Sequence, residues 1–123
     1  MPTAAIIGGG PSGLMAAEKL LNQGLSVDLY EAKPSVGRKF LMAGKSGLNL
    51  THAESFDSFL NRFEKDQLKL APFIKHLPPE AIRKWAEDLG IETFEGTSQR
   101  IFPKVMKASP LLRNWLRRLE KLG

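Results

Sequence analysis

The feature that most constrains this chain is a glycine-rich turn close to its start. Gly8, Gly10 and Gly13 have the spacing G-x-G-x-x-G, and they follow a short apolar run, residues 4–7, that predicts a buried strand. Apolar residues then recur at helical spacing over residues 14–21, and Gly24 is suited to end that helix. Residues 26–31 alternate apolar and polar side chains and predict a second strand. This order predicts a βαβ unit with a parallel sheet.

The three glycines have separate physical roles in such a turn. The first permits the tight turn, the second lets the backbone approach a pyrophosphate, and the third lets the helix pack closely on the strand. The helix N-terminus adds unpaired N–H groups and the positive end of the helix dipole. Glu31 ends the second strand, where a carboxylate accepts hydrogen bonds from an adenosine ribose and repels a 2′-phosphate. We therefore predict a dinucleotide site, and the motif leaves both FAD and NAD open.

The rest of the chain predicts a loop, helices and a hairpin. Residues 37–52 hold three glycines and mixed polarity without clear periodicity, which favours irregular backbone in a closely packed loop. Ser55 and Ser109 are predicted to cap helices, and Pro78 with Pro79 to open another. Residues 91–94 and 100–102 predict the strands of a hairpin. We divide the chain into a βαβ unit with its glycine loop (1–52), a helical insertion (53–90), and a hairpin with a crossover helix (91–123).

Composition narrows the chemistry. The chain of 123 residues has no cysteine, so it has no disulfide, thiolate metal site or redox cysteine pair, and we expect a cytoplasmic protein. His52 and His76, the two histidines, lack metal-site spacing; we predict no metal and assign no catalytic residue. The start carries no signal-peptide or membrane-span pattern, so no membrane partner is expected. A net charge of +5 is spread along the chain and favours a solvated basic surface over a nucleic-acid partner.

Several segments together resemble a known family. Residues 5–14, residues 30–34 and Gly37-Arg38-Lys39 look like the opening of FAD-binding flavoproteins. Residues 43–52, 100–103 and 106–113 are similar to the YhiN-like (BaiN/RdsA-like) NAD(P)/FAD-dependent oxidoreductases. The common family loop reads Ser-Gly-Gly-Gly-Arg-Cys-Asn, whereas residues 45–49 read Lys-Ser-Gly-Leu-Asn and lack the Arg-Cys pair. Family members are several hundred residues long, so we expect this chain to be the truncated N-terminal portion of one, partnered by the C-terminal remainder.

The resemblance implies an α/β, Rossmann-like FAD-binding unit and an FAD-dependent oxidoreductase. Hydride would pass between NAD(P)H, flavin and a small-molecule substrate, and the chain alone would be inactive. The alternatives are a fragment of an NAD-dependent dehydrogenase and, from another class, a nucleic-acid-binding module that uses the basic helix over residues 111–121. The predicted cofactor-binding residues are Gly8, Gly10, Pro11, Ser12, Gly13, Glu31, Ala32, Lys33, Gly37, Arg38, Lys39, Gly44, Ser46 and Asn49.

Overall fold

The computed structural model describes residues 2–45 and 47–123. Ser46, one of the predicted cofactor contacts, lies outside the described residues. The chain forms two compact units: a first unit of residues 1–46 and 108–123, and a second unit of residues 47–107. In chain order the elements are β1 (Thr3–Ile7), α1 (Pro11–Asn22), β2 (Ser26–Tyr30), α2 (Arg38–Ala43), β3 (Thr51–His52), α3 (Phe56–Asn61), α4 (Gln67–His76), α5 (Pro79–Asp88), β4 (Thr93–Glu95), β5 (Arg100–Pro103) and α6 (Ser109–Leu122).

The first unit contains the predicted βαβ arrangement. Strands β1 and β2 pair in parallel, with Thr3 beside Ser26 and Ile7 beside Tyr30, and α1 packs on both strands. The apolar faces of α1 and α6 meet and form the core, because their inward residues recur every three or four positions. The buried core residues of these two helices are Leu14, Ala17, Leu21, Leu111, Leu112 and Trp115.

Strand β1 is less buried than the sequence predicts. Its residues alternate between exposed and half-buried, and Ile7 is 83% exposed. Within the described residues β1 has β2 as its hydrogen-bonded neighbour, and α1 lies against the two strands. In a strand covered on one face, successive side chains alternate between buried and exposed, whereas in a strand covered on both faces all of them are buried.

The prediction of irregular backbone over residues 37–52 is wrong in part. Gly37 has φ +70° and turns the chain into the short helix α2, whose Phe40 ring meets the Trp115 ring edge-on with centroids 6.3 Å apart. This tertiary contact anchors six residues that are too few to show a helical period. Residues 51–52 are also regular, as strand β3.

The second unit is built on a three-stranded antiparallel sheet with the order β3-β5-β4. The predicted hairpin is present: Phe94 pairs with Phe102, and Glu95 pairs with Ile101. Strand β4 begins at Thr93 rather than at the predicted residue 91, and a short 3-10 turn, Thr97–Gln99, leads into β5. Helix α5 lies against β3 and β4.

The structure confirms two of the three predicted helix starts and shifts the N-cap of the third by one residue. Pro78 and Pro79 begin α5, as predicted. The Ser55 side chain caps α3 by accepting the Ser58 N–H at 3.2 Å. Ser109 is not the N-cap: it is the first residue of α6, and the N-cap position is occupied by Ala108, which offers no side-chain capping hydrogen bond.

Helix α4 was not predicted. Pro72 lies in its interior, where proline normally disfavours a helix because it lacks an N–H and crowds the preceding turn. Contacts with α3 support α4 in the second unit. No helix in the described part of the chain is both long and apolar enough to cross a membrane.

Candidate functional site

The backbone of the glycine turn explains two of the three motif glycines. Gly8 has φ +106°, a conformation that side chains rarely adopt, and its N–H donates to the Tyr30 carbonyl at 2.7 Å. A Cβ atom on Gly13 would overlap the carbonyl oxygen of Gly8. The first glycine is therefore required by the turn, and the third by the close approach of α1 to that turn.

Gly10 differs because the space beside it is open. It precedes α1 as the N-cap residue with φ −82°, and a Cβ atom placed on it would meet no atom within 4 Å. Pro11 then begins the helix and has no N–H, so the N–H groups of Ser12 and Gly13 are the unpaired donors of the first turn. The turn thus presents backbone donors beside open space.

Glu31 ties the end of β2 to the glycine turn. Its Oε1 accepts the Gly9 N–H at 2.8 Å, and its Oε2 accepts the Lys33 N–H at 3.0 Å. The hydrogen bonds from Lys33 and then Gly9 hold the pKa of the Glu31 carboxyl below its ordinary value of 4.5, and the charge of Arg38 lowers the pKa further. The carboxylate is therefore ionised at neutral pH. Each oxygen still has lone-pair capacity for a further donor.

These groups line one cavity of about 450 Å³, a volume within the usual range for ligand sites. Three cationic side chains and the single carboxylate of Glu31 surround it. Arg38 is held in place by a hydrogen bond from its Nε to Ser35 Oγ at 3.2 Å. An anion with neighbouring hydroxyl groups suits such a lining. The lining residues are Gly9, Gly10, Pro11, Glu31, Lys33, Ser35, Gly37, Arg38 and Lys39.

The structure brings half of the predicted cofactor-binding residues into this cavity. The predicted residues that line it are Gly10, Pro11, Glu31, Lys33, Gly37, Arg38 and Lys39. Gly8, Ser12, Gly13 and Ala32 adjoin it in the chain without lining it. Gly44 is buried at the end of α2, where an added Cβ would lie 2.5 Å from the Ala108 Cβ. Asn49 is exposed in the second unit.

Sequence reasoning missed two lining residues, Gly9 and Ser35. An added Cβ on Gly9 would lie 2.5 Å from Cγ1 of Val36, so the middle glycine of the run 8–10 is required by packing against the loop after β2. Gly37 is joined to the same place, since its N–H donates to the Gly9 carbonyl at 2.8 Å. The run of three glycines was the available signal, because the motif itself accounts for only two of them.

A parallel βαβ unit, a glycine turn that presents helix N-terminal donors, and a carboxylate at the end of the second strand define a Rossmann-type dinucleotide-binding domain. The sequence pattern of the HI0933-like protein Rossmann domain matches residues 2–123. The chain belongs to this family, which is a flavoprotein family of YhiN-like, FAD-dependent oxidoreductases. The resemblance seen in the sequence is thereby confirmed.

The fold is also similar to that of a solved protein. The crystal structure of Thermovibrio ammonificans THI4 superposes with a TM-score of 0.59 at 20% sequence identity. The alignment covers 99% of this chain and 36% of that chain, so this chain spans about a third of the length of the solved protein. At this identity the likeness concerns the fold. No curated protein matches the chain.

Proposed function

We propose that the cavity of the first unit holds the ADP half of FAD, and that the chain is the FAD-binding portion of a flavin-dependent oxidoreductase. The observation that carries the proposal is the Glu31 carboxylate, which is fixed by two backbone N–H groups at the edge of a cavity that the glycine turn leaves open. The ADP moiety is common to FAD and NAD, so either cofactor would fit these residues. Family membership favours FAD.

The pyrophosphate and the ribose of the ADP half each have a partner in the first unit. The pyrophosphate lies against Gly10, where no side chain intervenes. Its oxygens accept hydrogen bonds from the N–H groups of Ser12 and Gly13. Arg38 and Lys39 supply positive charge along the same cavity. The ribose hydroxyls donate to the Glu31 oxygens, which accept them alongside the Gly9 and Lys33 N–H groups.

Bound FAD supplies hydride exchange, with NAD(P)H as donor and a reducible small molecule as acceptor. The chain's own residues bind and orient the ADP half, and its negative Glu31 disfavours a dinucleotide with a 2′-phosphate in this position. The resemblance also implies contacts from Gly44, Ser46 and Asn49, which we propose for the complete enzyme, whereas the 123-residue chain by itself recognises the ADP half. The acceptor site and the NAD(P)H site then belong to the complete enzyme.

Gly10→Ala tests the assignment directly. The added methyl group enters the open space of the cavity and leaves the packing of the turn unchanged, so binding falls while the fold persists. Calorimetric titration of the 123-residue chain with ADP should show at least a tenfold weaker Kd than the parent. Ala16→Ser, an exposed change on the same helix, is the matched control. Equal ADP affinity in the Gly10→Ala variant and the parent would overturn the placement of the pyrophosphate.

The choice between flavin and NAD has its own readout. Oxidised flavin absorbs visible light and NAD does not, so the complete protein purified from cells should be yellow. Ligand released from it by denaturation should have the mass of FAD. A colourless protein that releases NAD would support the dehydrogenase alternative instead.

A further inference from the structure

The second unit contains a separate cavity of about 320 Å³ that the dinucleotide site does not use. It lies where the end of β3 faces the first turns of α5, and all of its lining residues belong to the second unit. Its volume is at the lower end of the range for small-molecule sites. The lining residues are His52, Ala53, Glu54, Ser55, Pro79, Glu80, Arg83 and Ile101.

Arg83 is the cation of this cavity, and its neighbours hold it in one orientation. Its Nε donates to the hydroxyl of buried Thr93 at 2.8 Å, and that hydroxyl donates to Glu87 Oε1 at 3.1 Å. The hydrogen bond to Thr93 and an ion pair with Glu87 Oε1 at 3.5 Å both use Nε, and within the described residues the two Nη groups have no hydrogen-bond partner, so they are left to meet a ligand. A guanidinium fixed in this way is suited to a planar, bidentate anion.

The nearby carboxylate of Glu54 does not compete for Arg83. Arg62 binds both Glu54 oxygens, at 2.5 and 3.1 Å, and this pairing lowers the pKa of the Glu54 carboxyl. His52 turns a buried Nδ1 toward Glu54 Oε1 at 3.9 Å, and 23% of its side chain is exposed. Glu80 is exposed at the start of α5. Of the charged groups that line the cavity, Arg83 is therefore the one whose hydrogen-bond donors the described residues leave unused.

We propose that this cavity binds a small organic carboxylate. Arg83 receives the carboxylate through its Nη groups, and the apolar remainder of the ligand rests against Pro79 and Ile101, both of which are buried. His52 borders the same space and limits its size. The proposal goes beyond the dinucleotide site, because the two cavities share no lining residue.

Benzoate is a suitable probe because it combines a planar carboxylate with an apolar ring. In a titration followed by two-dimensional amide NMR, benzoate should shift the amide signals of Ala53, Glu54, Ser55 and Arg83. The shift changes should saturate and fit a single Kd. Methyl benzoate has the same ring without the charge and should bind at least tenfold more weakly. This comparison requires no variant. Equal responses to acid and ester, or no saturable shift of these signals, would overturn the proposal.

Variants of one helix separate charge from general binding. Arg83→Gln should weaken benzoate binding at least tenfold, whereas Arg83→Lys keeps the charge and should retain part of it. Lys84→Gln removes the same charge from the next, exposed position of α5 and should leave the Kd unchanged. Amide spectra of each variant establish that the fold persists. Unchanged benzoate affinity in a folded Arg83→Gln variant would show that Arg83 is not the receptor.

Discussion

At the scale of single residues, the glycines of the first unit divide into those that the fold needs and those that a ligand needs. Gly13 belongs to the first group, because its α-carbon faces the carbonyl oxygen of Gly8. Gly10 belongs to the second, because nothing of the protein fills the space beside it. The two positions are three residues apart in one motif, yet they predict opposite responses to the same substitution.

Gly13→Ala should destabilise the fold. The added Cβ overlaps the Gly8 carbonyl oxygen, so the turn or α1 must shift, and overpacking of this kind costs about 1–3 kcal/mol. The melting temperature should fall by several degrees, as measured by circular dichroism. Gly10→Ala is the control: a weaker helix cap and a less flexible unfolded chain offset each other, so its melting temperature should stay close to the parent's. Equal melting temperatures of Gly13→Ala and Gly10→Ala would contradict the packing argument.

Glu31 predicts a pH dependence with a defined sign. Its folded-state pKa lies below the ordinary 4.5, so its stabilising effect is complete above that pH and is lost as pH falls through the folded-state pKa. Glu31→Gln removes this titration. The melting temperature of the parent should therefore exceed that of Glu31→Gln by a constant amount from about pH 7 down to about pH 5, and the difference should shrink in more acidic buffer. A difference that stays constant down to about pH 2 would exclude Glu31 as its source.

At the scale of elements, Ser55 and Ser109 allow the contribution of a helix cap to the free energy of unfolding to be measured. Both serines precede a helical apolar pattern, but the Ser55 hydroxyl accepts the Ser58 N–H, whereas Ser109 lies within α6, after the N-cap residue Ala108. Ser55→Ala should cost about 1 kcal/mol of unfolding free energy. Ser109→Ala is the matched control and should cost less than about 0.5 kcal/mol. Urea denaturation of both variants measures the two values, and similar losses would mean that the cap does not stabilise α3.

The elements also show how far local sequence determines structure here. The βαβ unit, the hairpin and α5 were predictable because each has a strong local signal: the glycine spacing, the turn residues 95–98 between two strand candidates, and the Pro78-Pro79 start. Helix α2 depends on the contact between Phe40 and Trp115, which are 75 positions apart, and α4 depends on contacts with α3 despite Pro72. A local pattern cannot report such distant contacts.

The same distinction applies to the candidate site. The motif positions and Glu31 were predictable because helix-terminus and ribose chemistry fix their residue types. Gly9 and Ser35 were not, because their places follow from the loop after β2, where Gly9 fits beneath Val36. Arg83 of the second cavity gave a weaker signal, its i,i+4 spacing to Glu87, which ordinarily indicates only a solvated helix face.

At the scale of the whole molecule, the excess positive charge is divided between the lining of the first cavity and other parts of the chain. The chain carries +5, and Lys33, Arg38 and Lys39 concentrate part of the positive charge around the first cavity. On α6, Arg118 lies 3.5 Å from buried Glu18 and so is partly engaged within the first unit. This distribution favours a small anionic ligand in the first unit over a long polyanion, which requires a continuous basic surface.

The last prediction concerns which part of FAD this chain recognises. The first cavity is lined only by residues between Gly9 and Lys39, and its polar groups suit a ribose and a pyrophosphate. Contacts for the ADP half should therefore account for the affinity, and the 123-residue chain should bind FAD and ADP with Kd values within about threefold of each other. Binding by the pyrophosphate also implies that AMP binds at least tenfold more weakly than ADP. Calorimetric titrations with the three ligands measure this order. FAD binding more than tenfold tighter than ADP binding would show that residues of this chain also hold the flavin half, with Gly44 and Asn49 the first positions to substitute.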